Sequence, residues 1–390
     1  MKNYLVEIFD EDYLENIISI VHRRYDGIFL LCDRTQNVDN LSMFLQEHFN
    51  CKCKIEKYDM TDLKSIEMCI NSFINETDCF DFDLTGGEQL IVYQLGTIFA
   101  KNKYNIQIHK YDVIKDKLLI CSQDSSLYNN EDKTALLKEI ISLNKGKVIS
   151  EANYNYSDKK IRSEVIRLFD LLRKINNDFN RFCNLTTEKE NPLTYRKYIE
   201  RDNEKKSAYN VLREFKKHGI IQEYQYLTYD SRKCYQYQFV KEFSIKDLFF
   251  KAGTCLEIYG ALAFFESGYF NDIHNSVLID LDGKIEKNTS DPYNEVDVMM
   301  LYRHTPVFVS CKNTRISKEY LYEISTISKQ YGGKYAIAMI LSTEKALAPV
   351  ENRAKQMGII MIDDIANYSL NELKQEIIDR IEELYGKNGC

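Results

Sequence analysis

The sequence predicts an α/β protein in which two α/β regions flank a more helical middle segment. Three observations lead there. Apolar stretches of strand length alternate with amphipathic stretches of helix length over residues 1–121, and the pattern resumes over 251–390. Residues 151–250 carry a net charge of +5, against −7 for residues 1–150 and −5 for residues 251–390. A chain of 390 residues also exceeds what one core ordinarily organises, so two or three domains are expected.

In order, Asn3–Ile8 reads as a strand and Glu11–Arg24 as a helix with Leu14, Ile17, Ile18 and Val21 on its apolar face. The apolar run Gly27–Asp33 is a strand, Val38–Phe49 a helix, Cys53–Tyr58 a strand and Asp62–Ile74 a helix. Cys79–Leu84, a helix over Glu88–Lys101, and strands at Asn105–Tyr111 and Lys117–Cys121 complete the region. Buried strands separated by helices argue for a parallel, doubly wound sheet. Residues 122–150 are polar and read as a connection. The basic segment then offers helices at Asp158–Asn177 and Glu204–His218, followed by an alternating pair around Asp230-Ser231 that is winged-helix-like.

Residues 251–390 give a helix at Thr254–Ser267 and strands at Ser276–Asp280, Glu295–Leu301 and Val307–Lys312. A helix at Lys318–Gln330, a strand at Tyr335–Leu341, a helix at Glu344–Met357, a strand at Ile359–Ile362 and an amphipathic C-terminal helix follow. The expected division is residues 1–125, 126–250 and 251–390.

Composition bounds the function. With 44% hydrophobic and 28% charged residues the chain is globular rather than disordered. Eleven scattered cysteines without a CxxC pair read as reduced, buried thiols of a cytoplasmic protein. The acidic N-terminus is no signal peptide and no apolar run spans a bilayer, so no membrane association is expected. Neither a GxGxxG fingerprint nor a P-loop is present, which disfavours NAD or ATP as a partner. His304 reads as an exposed turn residue.

The stretch EVDVMMLYRHTPVFVSCKN, residues 295–313, places charge on strands that otherwise look like core. Pleating puts Glu295, Asp297 and Met299 on one face, opposite Val296, Val298 and Met300. A tight turn at Thr305-Pro306 makes the strands neighbours, so Asp297 and Lys312 can meet. A salt bridge alone would account for that pair, but Glu257 interrupts an apolar helix and Glu323 lies in the helix after Lys312. Carboxylates around a lysine suit phosphodiester hydrolysis with Mg²⁺ or Mn²⁺, because hard oxygens hold the ion and it activates water.

This stretch and its flanking helix–strand–strand–strand–helix–strand order resemble the PD-(D/E)xK restriction-endonuclease-like nucleases. The resemblance implies catalytic roles for Asp297, Lys312, Glu257, Glu323 and Glu295, and a metal set of Asp297, Glu257, Glu323 and Cys311. Ser310 stands where that family usually has Asp or Glu, and Glu323 is the implied substitute.

At the other end, Asp81–Leu90 (DFDLTGGEQL) sets Thr85-Gly86-Gly87 between a strand and a helix, where glycines admit a ligand and free N–H groups favour phosphate. Leu84-Thr85-Gly86-Gly87 resembles the signature of CARF domains, Rossmann-like sensors of cyclic oligoadenylates, although Glu88-Gln89 replaces the usual Thr-Lys. The resemblance implies contacts from Asp10, Thr35, Gln36, Thr85, Gly86 and Gly87. The combination resembles the ancillary nucleases of type III CRISPR systems. It implies a homodimer switched on by cyclic tetra-adenylate that cleaves a nucleic-acid substrate, DNA and/or RNA. The alternative is a ligand-sensing transcription regulator with an inactive C-terminal domain.

Overall fold

A computed structural model describes residues 1–390 except 22, 50, 51, 103, 121–136, 247–252, 281–292 and 388–390. The stretch 122–136 of the expected connection, and Cys121 at the end of an expected strand, therefore lie outside the described residues.

The N-terminal region alternates β1 (Asn3–Ile8), α1 (Tyr13–Val21), β2 (Gly27–Asp33), α2 (Asp39–Phe49), β3 (Lys52–Tyr58), α3 (Leu63–Asn71), β4 (Cys79–Asp83), α4 (Gln89–Lys101), β5 (Ile106–Asp112) and β6 (Lys117–Ile120). These strands form one Rossmann-like sheet in the order β3-β2-β1-β4-β5-β6, parallel except for β6. The chain builds outward from β1 to β3 and then restarts at β4 on the other side. The order therefore reverses between β1 and β4, where open sheets of this kind leave a crevice at their C-terminal ends. β2 is apolar up to Asp33 because both its faces are covered.

The middle region contains α5 (Leu137–Leu143), β7 (Lys147–Ala152), α6 (Lys159–Leu172), α7 (Asn176–Cys183), β8 (Thr187–Lys189), β9 (Thr194–Tyr198), α8 (Asp202–Lys217), β10 (Ile221–Tyr229) and β11 (Arg232–Phe239). Asp158 caps α6, accepting the Lys160 N–H at 2.8 Å, and Glu204 folds back onto the Arg201 N–H at 2.9 Å to start α8. Strands β8 to β11 form a small antiparallel sheet in the order β10-β11-β9-β8.

The C-terminal region runs α9 (Thr254–Ser267), β12 (Phe270–Asp280), β13 (Tyr293–Tyr302), β14 (Thr305–Lys312), α10 (Lys318–Gly332), β15 (Ile337–Ser342), α11 (Ala348–Gln356), β16 (Ile360–Ile362) and α12 (Leu370–Lys387). Its sheet order is β16-β15-β14-β13-β12-β7. The expected connection is thus only partly a linker, since α5 packs and β7 supplies the sheet's edge strand beside β12.

The regions do not keep separate cores. One apolar cluster joins Leu14 and Ile17 of α1 and Ile140 of α5 to Met299, Phe308, Ile324 and Tyr331. Another joins Phe169, Phe182 and Phe215 of the middle helices to α9 and to Val298, Val309 and Cys311. Polar contacts reinforce the first junction: Glu15 accepts from Lys334 Nζ at 2.7 Å and from the Tyr335 hydroxyl at 2.6 Å, while Asp12 accepts the Lys334 N–H. His304 is buried rather than exposed, edge-on to Tyr111 and beside Asp116.

Candidate functional site

The carboxylate–lysine constellation forms where two strands part. β13 pairs with β12 down to Tyr293, but its ladder with β14 runs only from Tyr302↔Thr305 to Val298↔Val309. Beyond that point the Asp297 carboxylate takes the place of the backbone. Its Oδ2 accepts the Cys311 N–H at 2.6 Å and the Ser310 hydroxyl at 3.5 Å. The strict alternation expected along β13 therefore fails at Asp297: Val296 joins the apolar cluster of Met299 and Leu301, whereas Val298 and Met300 join the other.

Glu295, Asp297, Ser310, Lys312 and Glu323 line one cleft of about 20 Å³, floored by Ile324 and Ile327 of α10. That is room for one water-sized occupant. Ser310 rather than Lys312 bonds Asp297, and the Lys312 ammonium stands 4.7 Å from the centroid of the Tyr320 ring. Burial raises the Asp297 pKa above the ordinary value, and Glu295 adds to it; the Lys312 charge and the Cys311 N–H pull the other way.

Two expected members stand elsewhere. Glu257, on α9, is buried with its Oε2 accepting the Ser276 hydroxyl at 3.0 Å, and it does not line the cleft. Cys311 packs in the cluster with α9, where burial and the charges of Asp297 and Glu257 push its thiol well up. The hard-oxygen set of Glu295, Asp297 and Glu323 has the chemistry of a Mg²⁺ or Mn²⁺ site. Among the described residues no three acidic, His or Cys side chains have closed to metal-holding distance. Glu295 and Glu323 are exposed at the mouth of the cleft, whereas Asp297 sits deeper at the fork. The fork itself, and Tyr320 beside the lysine, were not legible in the sequence, because the first depends on register between strands and the second on how α10 packs against β14.

The N-terminal loops meet at the sheet's crevice. Asp10 Oδ2 accepts the Gly87 N–H at 3.0 Å and Oδ1 accepts the Asp12 N–H at 2.8 Å, tying the loop after β1 to the glycine turn after β4. Gly86 has no room for a Cβ, which would fall 2.8 Å from that of Asp10. Gly87 has φ +86°, and its Cβ would lie 2.6 Å from Ile8 Cγ2. Gly87→Ala is expected to lower stability by about 1–3 kcal/mol. Gly96→Ala, in α4 with open space around it, is expected to raise it by about 0.5–1 kcal/mol. Urea denaturation of both variants checks this, and equal effects would remove the argument.

Thr85 turns inward: its hydroxyl donates to Asp83 and accepts the Tyr111 N–H at 2.7 Å. Thr35 donates its hydroxyl to Asp33 at 2.6 Å, which holds that carboxyl at about 2, and Gln36 accepts the Asp33 N–H. Thr35 and Gln36 line an open, mostly polar hollow with Phe9, Tyr13 and Lys145, separate from the glycine turn. Below the loops, His109 bonds Asp81 at 2.8 Å and faces Asp83 at 3.6 Å. Burial alone would lower His109, but those two carboxylates raise it to about 10. Glu7, fully buried beside Asp83, is pushed well up, chiefly by burial.

No family model matches the sequence, and no curated protein matches it. Solved structures share its fold. Protein VC1899 from Vibrio cholerae aligns with a TM-score of 0.72 at 14% identity, covering 98% of both chains. Can2 from Sulfobacillus thermosulfidooxidans, solved with cyclic tetra-adenylate, gives 0.65 at 16% identity over 97% of each. A type III CRISPR defence DNA nuclease activated by cyclic oligoadenylate gives 0.52 at 11% identity, over 95% of this chain and 52% of that one. At these identities the likeness is one of fold. No helix among the described residues is long and apolar enough to cross a membrane.

Proposed function

We propose that the chain is a metal-dependent nuclease switched on by a cyclic oligoadenylate, with cyclic tetra-adenylate as the activator. The observation that carries this reading is the fork between β13 and β14, which sets three carboxylates and a lysine around one cleft. Asp297, Glu295 and Glu323 would hold Mg²⁺ or Mn²⁺, with Glu257 behind the sheet acting on Ser276 rather than on the ion. The ion supplies charge neutralisation at the phosphate and a more acidic bound water. Lys312 offers a cation to the phosphate oxygens as charge builds on them, and Ser310 and the Cys311 N–H hold Asp297 in place.

The sensor half is the crevice between β1 and β4. There the start of α4 offers N–H groups to phosphate, while Asp10 fixes the turn by accepting the Gly87 N–H. Thr35 and Gln36, on the loop after β2, line the neighbouring hollow rather than the glycine turn. A cyclic ligand is matched by two copies of the chain related by a two-fold axis, hence the homodimer. The fold shared with a protein solved on cyclic tetra-adenylate supports the same ligand class.

One observation favours the transcription-regulator reading instead: Ser310 occupies a position where an acid would complete the metal set. Labelled DNA and RNA incubated with Mn²⁺, with and without cyclic tetra-adenylate, separate the two. Cleavage that needs both additions is expected. Calorimetric binding of the cyclic nucleotide with no cleavage of any substrate would favour the regulator.

A further inference from the structure

The middle region carries a surface that neither site uses. Lys205, Tyr209, Arg213 and Lys216 follow one another along α8 at spacings of four, four and three, so they form one exposed stripe with no acid in it. The stripe runs about 16 Å along the helix. It faces β10, the edge strand of the small sheet, whose Tyr224 and Tyr226 alternate with the outward-facing Glu223 and Gln225.

Cations and rings interleave across this seam. Lys205 Nζ lies 4.3 Å from the Tyr226 ring centroid, Lys216 Nζ 5.9 Å from that of Tyr224, and the Arg213 guanidinium 5.9 Å from that of Tyr209. Tyr209 meets Tyr224 edge-on at 6.3 Å. Tyr209 and Tyr226 remain 44% and 37% exposed, which leaves ring surface open to a flat partner. Of the acids of α8, Glu204 bonds backbone N–H groups at the helix start, and Glu214 pairs with Arg213 of the stripe and with Lys217.

α8 is also anchored to the cleft. Asp178 of α7 accepts from Ser207 and Asn210 of α8 at 2.7 and 2.8 Å. Asn313, the residue after Lys312, donates to Asn176 and Asn180 of the same α7 at 2.9 and 2.8 Å. A polymer held on the stripe is thereby held by an element tied through α7 to the end of the lysine strand.

We propose that the α8–β10 seam is a binding surface for single-stranded nucleic acid, with Tyr209 and Tyr226 stacking on bases and Lys205, Arg213 and Lys216 meeting the phosphates. Open rings beside cations suit a strand whose bases are accessible, whereas a duplex offers only its backbone. The surface binds without sequence preference, because every base has a face to stack.

Fluorescence anisotropy of a labelled oligothymidylate, in EDTA so that nothing is cleaved, tests this. Lys205→Glu with Lys216→Glu should weaken binding about 10-fold or more and flatten the salt dependence by roughly 1.4 log units per decade. Tyr209→Ser with Tyr226→Ser should weaken it about 30-fold or more. Should either pair lower the thermal midpoint, the alanine variants at the same positions serve. Unchanged affinity in the lysine pair overturns the proposal. Tighter binding of a duplex than of the single strand, with the tyrosine pair silent, overturns the single-strand assignment. Because cleavage is not read, failure here leaves the nuclease reading intact, and an inactive cleft leaves this surface intact.

Discussion

Asp297→Asn is expected to lower the rate of nucleic-acid cleavage by about 10²–10³-fold, with binding of cyclic tetra-adenylate unchanged. Asparagine keeps the shape that fills the fork and can still accept the Cys311 N–H, but it brings no charge to a cation. The same substitution is expected to raise stability slightly. Burial raises the folded pKa of Asp297, so the group favours the fold while protonated and that contribution is lost as pH rises through the folded value. At neutral pH the ionised carboxylate therefore costs stability, and a neutral amide removes the cost. Lys312→Ala should give a comparable loss of rate without the gain in stability. Single-turnover cleavage and thermal unfolding of both variants decide this. Full activity in either would remove the cleft from catalysis.

His109→Ala is expected to cost about 3–5 kcal/mol, because it strands two buried carboxylates beneath the ligand loops. The wild type should show the matching pH dependence. The folded pKa of His109 is raised from 6.5 to about 10, so its contribution is complete below 6.5 and is lost as pH rises toward 10. Arg23 and the Tyr25 hydroxyl, at 3.0 and 2.9 Å from Asp81, share part of that load. Glu7→Gln should change little, because burial pushes that carboxyl well up and the amide brings no charge to desolvate. Urea denaturation below pH 6.5 and near pH 10 checks both claims. A His109→Ala variant as stable as the wild type at the lower pH would contradict the network.

Local pattern carried most of the elements. The apolar run of β2 and the wheel of α1 are properties of adjacent residues, and α9 begins and ends where its apolar stretch does. What stayed hidden depends on distant partners. β7 (KVISEA) has no apolar alternation of its own and becomes a strand by pairing with β12. β8 (TEK) is similarly short and polar. In β12 the backbone turns left-handed at Asp272 and Ser276, with φ of 50° and 47°, which no period-two pattern anticipates. At the site, residue types pointed to Asp297, Glu295, Lys312 and Glu323, and the cleft does gather them. Glu257 and Cys311 fall on the other side of the sheet because α9 packs there, a choice made by tertiary contacts.

Manganese binding tests the cleft most directly. Titration of Mn²⁺ followed by electron paramagnetic resonance should reveal a site that is lost in Asp297→Asn and weakened in Glu323→Gln. Glu319→Gln, on the exposed first turn of the same helix, should bind as the wild type does. Equal manganese affinity in the wild type, Asp297→Asn and Glu323→Gln would contradict the account.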